Sequence, residues 1–239
     1  MSGHSKWSTI KRQKAVTDSR RSAVFTKLAR QITISARLGG GDPAMNFRLR
    51  LAIDKAKAAN VPNDNIERAI KSGTGEGKEG QTKEVLYEGF GSGGTAILVE
   101  AITDNPNRTA AEVRSTFSKH GGTMGAQHSV GWMFQLRGVT RVEIQSVQSS
   151  REALELSCID AGAEDVREDD EHIVILSPAE RLPDIRAALG AQASAAESDV
   201  EYVPTTTVTL TDADQEALHA LLEALDALDD ATRVTTNEQ

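Results

Sequence analysis

Several groupings in the sequence carry side chains capable of chemistry. Asp169-Asp170-Glu171-His172 gathers three carboxylates and an imidazole, a donor set that suits a cation. The same residues sit between two apolar stretches, where Asp favours the tip of a hairpin, so solvated charge is the reading adopted. Cys158 could act as a nucleophile with a histidine, but it shares an apolar helix face with Leu154 and Ala161 and reads as a buried, inert thiol. His4 beside Ser5 and Lys6 has the elements of a general base, but the surrounding cations depress an imidazole pKa and favour a contact role. Glycines at 89, 91, 93 and 94 could bring backbone N–H groups close to a phosphate. No Lys-Ser/Thr pair follows them and no helix opens directly from the loop, so the Walker and dinucleotide patterns both fail and a hairpin loop is expected. Gly121 to Trp132, which carries His128, reads either as a functional loop or as a connector. No catalytic residue, metal site, cofactor or small-molecule substrate is expected.

The strongest functional signal is charge. Residues 1–40 hold nine Lys/Arg and one acid, Asp18. Residues 1–80 carry 16 Lys/Arg and 7 Asp/Glu, a balance of +9, against 11 and 28, or -17, for the remaining 159; the two add to the chain's -8. A concentrated positive field on an acidic body points to a polyanionic partner, nucleic acid foremost. The candidate contacts are His4, Lys6, Trp7, Lys11, Arg12, Lys14, Arg20, Lys27, Arg30 and Arg37. Lysine and arginine would meet phosphates, which gives affinity and salt dependence but little base reading. Trp7 among cations suits stacking on unpaired bases, which favours RNA.

The elements that must position these residues are legible from periodicity. A helix is expected from near Asp18, with Val24, Phe25, Leu28 and Ile32 on one apolar stripe. At about 100° per residue, Lys27, Arg30 and Arg37 fall on the opposite side, with Arg20 at its margin. Three glycines end it at 39–41, Asp42-Pro43 reads as the start of a second helix to about Ala59 that buries Phe47, Leu51 and Ala58, and Asp64–Glu67 reads as a capping box for a third closed by Gly73. Residues 73–80 read as a glycine-rich linker. Strands follow around 85–87 and 95–99, then a turn at Asp104–Asn107 and a helix capped by Thr109 with Glu112 and running to His120. A strand is expected at Val130–Phe134. From Val139 the order is strand, helix, strand, strand, helix capped by Ser177 with Glu180, strand: the ferredoxin-like split βαβ order. Thr205–Leu210 reads as a strand, Asp212 as the cap of an amphipathic helix, and Arg233–Thr235 as a last strand returning to the sheet begun at residue 85.

The fold class expected is therefore α+β. An N-terminal three-helix bundle (1–80) precedes a middle α/β domain (81–134 with 205–239), into which a ferredoxin-like βαββαβ domain (135–204) is inserted. One cysteine excludes an internal disulfide and a multi-cysteine zinc site. No apolar run reaches 18 residues, so no membrane span is expected, and the charged N-terminus has no apolar signal core. A reducing cytoplasm fits best.

Gly3-His4-Ser5-Lys6-Trp7, Phe25-Thr26-Lys27, Gly39-Gly40-Gly41-Asp42-Pro43 and Arg48-Leu49-Arg50 closely resemble the YebC family. Tyr87-Glu88-Gly89-Phe90-Gly91, Thr103-Asp104-Asn105, Asn107-Arg108-Thr109, Phe117-Ser118-Lys119 and Ala161-Gly162-Ala163-Glu164-Asp165 continue the match in the family's order. The C-terminus is looser: the family often closes with Asp-Asp-Val…Tyr, and this chain has Asp229-Asp230-Ala231-Thr232-Arg233-Val234. The resemblance implies the same three domains and a probable transcriptional regulator that binds DNA. Relatives that include mitochondrial ones imply the alternative, a ribosome-associated translation factor binding rRNA or tRNA. Neither description involves an enzyme.

Overall fold

The computed structural model describes residues 18–75, 82–169, 171–190 and 196–239, with side chains of the first helix from Ala23 onward. The chain divides into two compact units, one of them Phe134–Thr205 and the other made of the described residues through Met133 and from Thr206. The mixed α+β class is as expected, with N-terminal helices and two antiparallel sheets.

In the larger unit, α1 (Asp18–Gly39), α2 (Phe47–Ala58) and α3 (Asn63–Gly73) pack around Ile32, Ala36, Leu49, Ile53 and Ile66. The central helix is α1, which lies against both others. Of its expected stripe, Ile32 is buried, Phe25 and Leu28 are half-buried, and Val24 is exposed. Close approach replaces bulk at the other end. A Cβ on Gly73 would stand 2.3 Å from the Thr33 carbonyl oxygen, so α1 and α3 meet backbone to backbone there.

The second helix starts later than the Asp-Pro pair suggests. Asp42 forms a turn instead, its carbonyl accepting from Met45 and Asn46 N–H, and Asn46 is the true cap, its side chain accepting from Leu49 N–H at 3.0 Å. The Asn46 amide also donates to the carbonyls of Ser35 and Gly40, both at 2.8 Å, which fastens α2 to the end of α1. A proline sets φ for a turn as readily as for a helix, and the buried Asn46 decides between them. Ala56 is buried in place of Ala58, and Phe47 is only half-buried. No side chain caps α3, which begins at Asn63 after Pro62.

The same unit holds an antiparallel sheet of β1 (Lys83–Phe90), β2 (Ala96–Thr103), β3 (Thr123–Met124) and β8 (Ala231–Thr236), in the order β3-β1-β2-β8. The helices α4 (Pro106–Lys119) and α7 (Asp212–Asp226) bring Val113, Phe117, Leu218, Leu221, Leu222 and Leu225 onto Ile97, Val99 and Ala101. Leu98 and Ile102, which alternate with these, are buried too, and α1 lies against β2 and β8. This strand, covered on both faces, reads as a nearly continuous apolar run, interrupted at Glu100, for that reason. Residues 91–95 close the β1–β2 hairpin, with Gly93 and Gly94 at φ 63 and 75. The Gly91 N–H and Ser92 hydroxyl are engaged within the fold, on the Thr95 carbonyl and Asp214, so the loop acts as a hairpin.

Three local expectations are corrected in this unit. Asn105, not Thr109, caps α4, because Pro106 already supplies the first helical residue. Thr211, not Asp212, caps α7. Thr205–Leu210 makes only a single bridge, Val208 to Glu238, just beyond the end of β8.

The unit Phe134–Thr205 contains β4 (Phe134–Glu143), α5 (Arg151–Asp160), β5 (Asp165–Glu168), β6 (His172–Ser177), α6 (Leu182–Leu189) and β7 (Ala196–Pro204). The sheet order β5-β6-β4-β7, all antiparallel, is that of the ferredoxin-like split βαβ. Val142, Leu154, Ile175 and Ile185 build its helix-side core. Residues 131–133 are a tight turn, so the expected strand at Val130–Phe134 starts only at Phe134. A short turn, Ala179–Arg181, precedes α6, which has no side-chain cap; a Pro183 in its first turn needs no N–H partner there.

Gly73→Ala is expected to destabilise the protein by about 1–3 kcal/mol, since the added methyl cannot be accommodated beside a backbone carbonyl. Urea denaturation checks this; an unchanged midpoint would show that α1 and α3 can separate without loss.

Candidate nucleic-acid interface

Of the ten candidate contacts, His4, Lys6, Trp7, Lys11, Arg12 and Lys14 lie outside the described residues, and Arg20 sits in the first turns of α1 with its side chain outside them as well. The other three, on the middle and end of α1, are brought together on one side of the helix, and each has a partner within the protein. Lys27 Nζ donates to the carbonyl of Asp226, the last residue of α7. That position is the negative end of a helix dipole, where an ammonium is favoured. Arg30 Nη1 donates to the Asp229 carbonyl and to Asp230 Oδ1, both at 2.8 Å. Arg37 Nη1 donates to the Thr82 carbonyl at 2.8 Å. Two of the cations that periodicity picked out on α1, Lys27 and Arg30, thus dock on the acidic C-terminal segment, a part of the chain that spacing could not connect to them, while Arg37 is held at the start of β1.

Asp230 is the centre of that dock. It is 2 % exposed, and its second oxygen accepts from Arg108 Nη2 at 2.7 Å and the Thr109 hydroxyl at 2.6 Å. Its own carbonyl accepts from Ile102 N–H at 2.9 Å. Burial alone would raise this carboxyl. The hydrogen bonds from Thr109, Arg108 and Thr103, with the Arg30 charge, outweigh burial and hold it below the ordinary aspartate value. Asn105 caps α4, and Tyr87 donates its hydroxyl to the Pro106 carbonyl at 3.0 Å, so the start of that helix is fixed around the same carboxylate. Burial, with the Asp230 charge, raises the Tyr87 phenol.

A second buried carboxylate organises the loop after α4. Glu88, 4 % exposed, accepts from His128 N–H through Oε1 and from Val130 and Gly131 N–H through Oε2, all at 2.7 Å. Burial pushes its pKa up, and these three donors with the neighbouring His128 together bring it below the usual value. His128 stands at φ 68, a left-handed conformation uncommon for a side chain, and the bond to Glu88 holds it there. Gly121–Trp132 is therefore an anchored connector with its own constraint. Periodicity missed both Glu88 and Asp230 because each acts through partners distant in sequence; the Asp-Asp pair before a last strand was the available signal for the second.

Elsewhere, Asp169 caps its hairpin by accepting from Glu171 and His172 N–H, with Asp170 outside the described residues. Among the described residues no cluster of His, Cys, Asp and Glu is arranged to hold a metal ion. Cys158 is fully buried and its thiol is pushed up to about 11 by that burial, the state of an inert core residue.

Asp230→Asn is expected to lower stability at pH 7 by about 1–3 kcal/mol, a loss limited because Arg30 and Arg108 remain 31 % and 45 % exposed. The depressed carboxyl stabilises the fold in full above the ordinary aspartate value of 3.8 and ceases to do so as pH falls through its folded value. Denaturation curves of both proteins should therefore converge between about pH 5 and pH 2. A gap that stays constant would assign the effect to shape and not to charge.

Two family models cover nearly the whole chain: the TACO1/YebC protein N-terminal domain over residues 5–76, and the TACO1/YebC second and third domain over residues 82–238. A probable transcriptional regulatory protein from Desulforamulus reducens is 48% identical over 238 residues, covering 99% of this chain and 98% of its own. One of the same description from Chloroflexus aurantiacus is 49% identical, covering 99% and 95%. The crystal structure of a conserved hypothetical protein from Aquifex aeolicus matches with TM-score 0.85 and 41% identity over 95% of this chain and 93% of that one. From its first basic residues to its last strand, the chain belongs to the TACO1/YebC family.

Proposed function

We propose that the protein is a non-enzymatic, cytoplasmic regulator that binds nucleic acid through its basic N-terminal segment, acting on DNA in transcription. The observation that carries this reading is the division of charge, +9 in residues 1–80 against -17 in the rest. It is supported by the relatives described as probable transcriptional regulatory proteins. The acidic parts repel a polyanion and so orient the basic segment toward it. Lys27, Arg30 and Arg37 have internal partners. Lys6, Lys11, Arg12 and Lys14 are therefore the main phosphate contacts in this reading, with the three helix cations placing α1 and offering their remaining N–H groups. Trp7 favours a second reading, a ribosome-associated translation factor, because an indole among cations suits unpaired bases more than a duplex. Among the described residues no helix is long and apolar enough to cross a membrane.

Changing Lys6, Lys11, Arg12 and Lys14 together to Gln should reduce the dependence of log K on log salt by up to about 3.6 on duplex DNA, about 0.9 for each phosphate contact. Changing Lys27, Arg30 and Arg37 to Ala should lower stability as well as affinity. Sucrose-gradient sedimentation of a lysate, with and without RNase, separates the targets. Protein at the top of the gradient, with salt-sensitive enrichment at discrete genomic sites, is the result expected. RNase-sensitive co-migration with ribosomal particles would replace transcription by translation.

A further inference from the structure

The unit Phe134–Thr205 carries its own imbalance of charge. Residues 134–205 hold 6 Arg, no Lys and 15 Asp/Glu, a balance of -9. Most of these arginines pair with carboxylates of the same unit, Arg151 with Glu168 and Arg141 with Glu201 among them. Two acids of α5 lack such a partner: Glu155 and Asp160 make no hydrogen bond or ion pair among the described residues. Asp160 lies in the last turn, where a carboxylate opposes the helix dipole, so the helix itself gives no reason for it.

The same helix turns apolar side chains to solvent. Leu154 and Cys158 belong to the core of the unit. At about 100° per residue Leu156 lies on the opposite side of the helix, and it is 62 % exposed; Ile159, three residues on, is 51 % exposed. Exposed Ala153 precedes them in the same i, i+3, i+6 row. Among the described residues no other helix sets two exposed large hydrophobics side by side. Single apolar residues are ordinary on a surface, whereas a row of this kind forms a ridge that fits the groove of another helix. Glu155 borders Ile159 at i, i+4, and Asp160 borders Leu156 at the same spacing, so an acid flanks each large apolar side chain.

We propose that the solvent side of α5 docks a cationic amphipathic helix of a protein partner. The row of Ala153, Leu156 and Ile159 packs on the apolar side of that helix, and Glu155 and Asp160 meet its lysines or arginines. Charge chooses the occupant: the acids beside the row repel a polyanion and select a chain that is basic as well as apolar. The inference goes beyond the nucleic-acid reading and does not depend on it. It gives the acidic ferredoxin-like unit a task of its own, the recognition of protein.

The probe is a fluorescein-labelled peptide with leucine at helical i, i+3, i+4 and i+7 positions and lysine elsewhere; its control has the same composition with the leucines spread around the helix. Anisotropy should show saturable binding of the amphipathic peptide to the full chain and weaker binding of the control. Amide NMR shifts of the isotope-labelled full chain should move along Arg151–Asp160. Leu156→Ser with Ile159→Ser should weaken the peptide by about tenfold or more. Glu155→Gln with Asp160→Asn should flatten the salt dependence of binding. None of the four side chains is buried, and thermal melting of each variant verifies the fold. No saturable binding, equal binding of both peptides, shifts that move only outside α5, or unchanged affinity in the Leu156→Ser, Ile159→Ser variant would each overturn the proposal. Sedimentation equilibrium showing a dimer that this variant dissolves would overturn it in favour of a second copy of the chain. Binding to phosphatidylcholine vesicles that the variant abolishes would overturn it in favour of a lipid surface.

Discussion

A carboxylate that is 2 % exposed must be neutralised, and much of the larger unit is arranged around meeting that requirement at Asp230. Its two oxygens draw Arg30 from α1 and Arg108 and Thr109 from α4, while its backbone carbonyl continues the hydrogen bonding of β2 through Ile102. One residue thereby ties the basic helices, the sheet and the helix that covers it. Removing any one partner leaves a buried charge less well paired, so these elements are coupled energetically as well as by proximity. The short motifs shared with the family around Asn105 and Arg108 make physical sense in this light: one caps α4, and the other brings its guanidinium to the same carboxylate.

Electrostatics on this scale gives the acidic half of the chain two tasks. In the proposed reading it repels a polyanion, and within the fold it takes up three of the cations of α1, Lys27 and Arg30 at its C-terminal end through Asp226, Asp229 and Asp230, and Arg37 at its start through the Thr82 carbonyl. The positive field available to a partner is then set by which cations remain without such partners. That selection differs from a count along the sequence. It moves weight away from the middle of α1, toward the N-terminal cations in the proposed reading.

Glu88 and Asp230 show two uses of the same device. Asp230 gathers side chains from separate elements, whereas Glu88 gathers three backbone N–H groups from one loop and fixes its course. A glycine-rich, polar stretch reads as pliable when only composition is considered. Three short hydrogen bonds to one buried carboxylate hold it in shape, including a left-handed His128, and present Trp132 at its end.

Much of the fold was legible in the sequence, because it depends on local periodicity and capping chemistry. The helix from Asp18, the βαββαβ order after residue 134, the Leu-rich face of α7 and the burial of Cys158 all follow from spacing that near neighbours determine. Exact starts were less so: Asn46, Asn105 and Thr211 prevailed as caps over Asp42, Thr109 and Asp212, residues of similar propensity within four positions of them. The charge division, on which the proposed class of partner rests, is likewise a property of sequence alone. Only the tertiary structure decided which cations are engaged, because the partner of Arg30 lies 200 positions away and no periodicity spans that distance. An ion pair of that kind exists only once a sheet strand from the C-terminus has returned beside β2, and that return is what converts a string of charges into a surface.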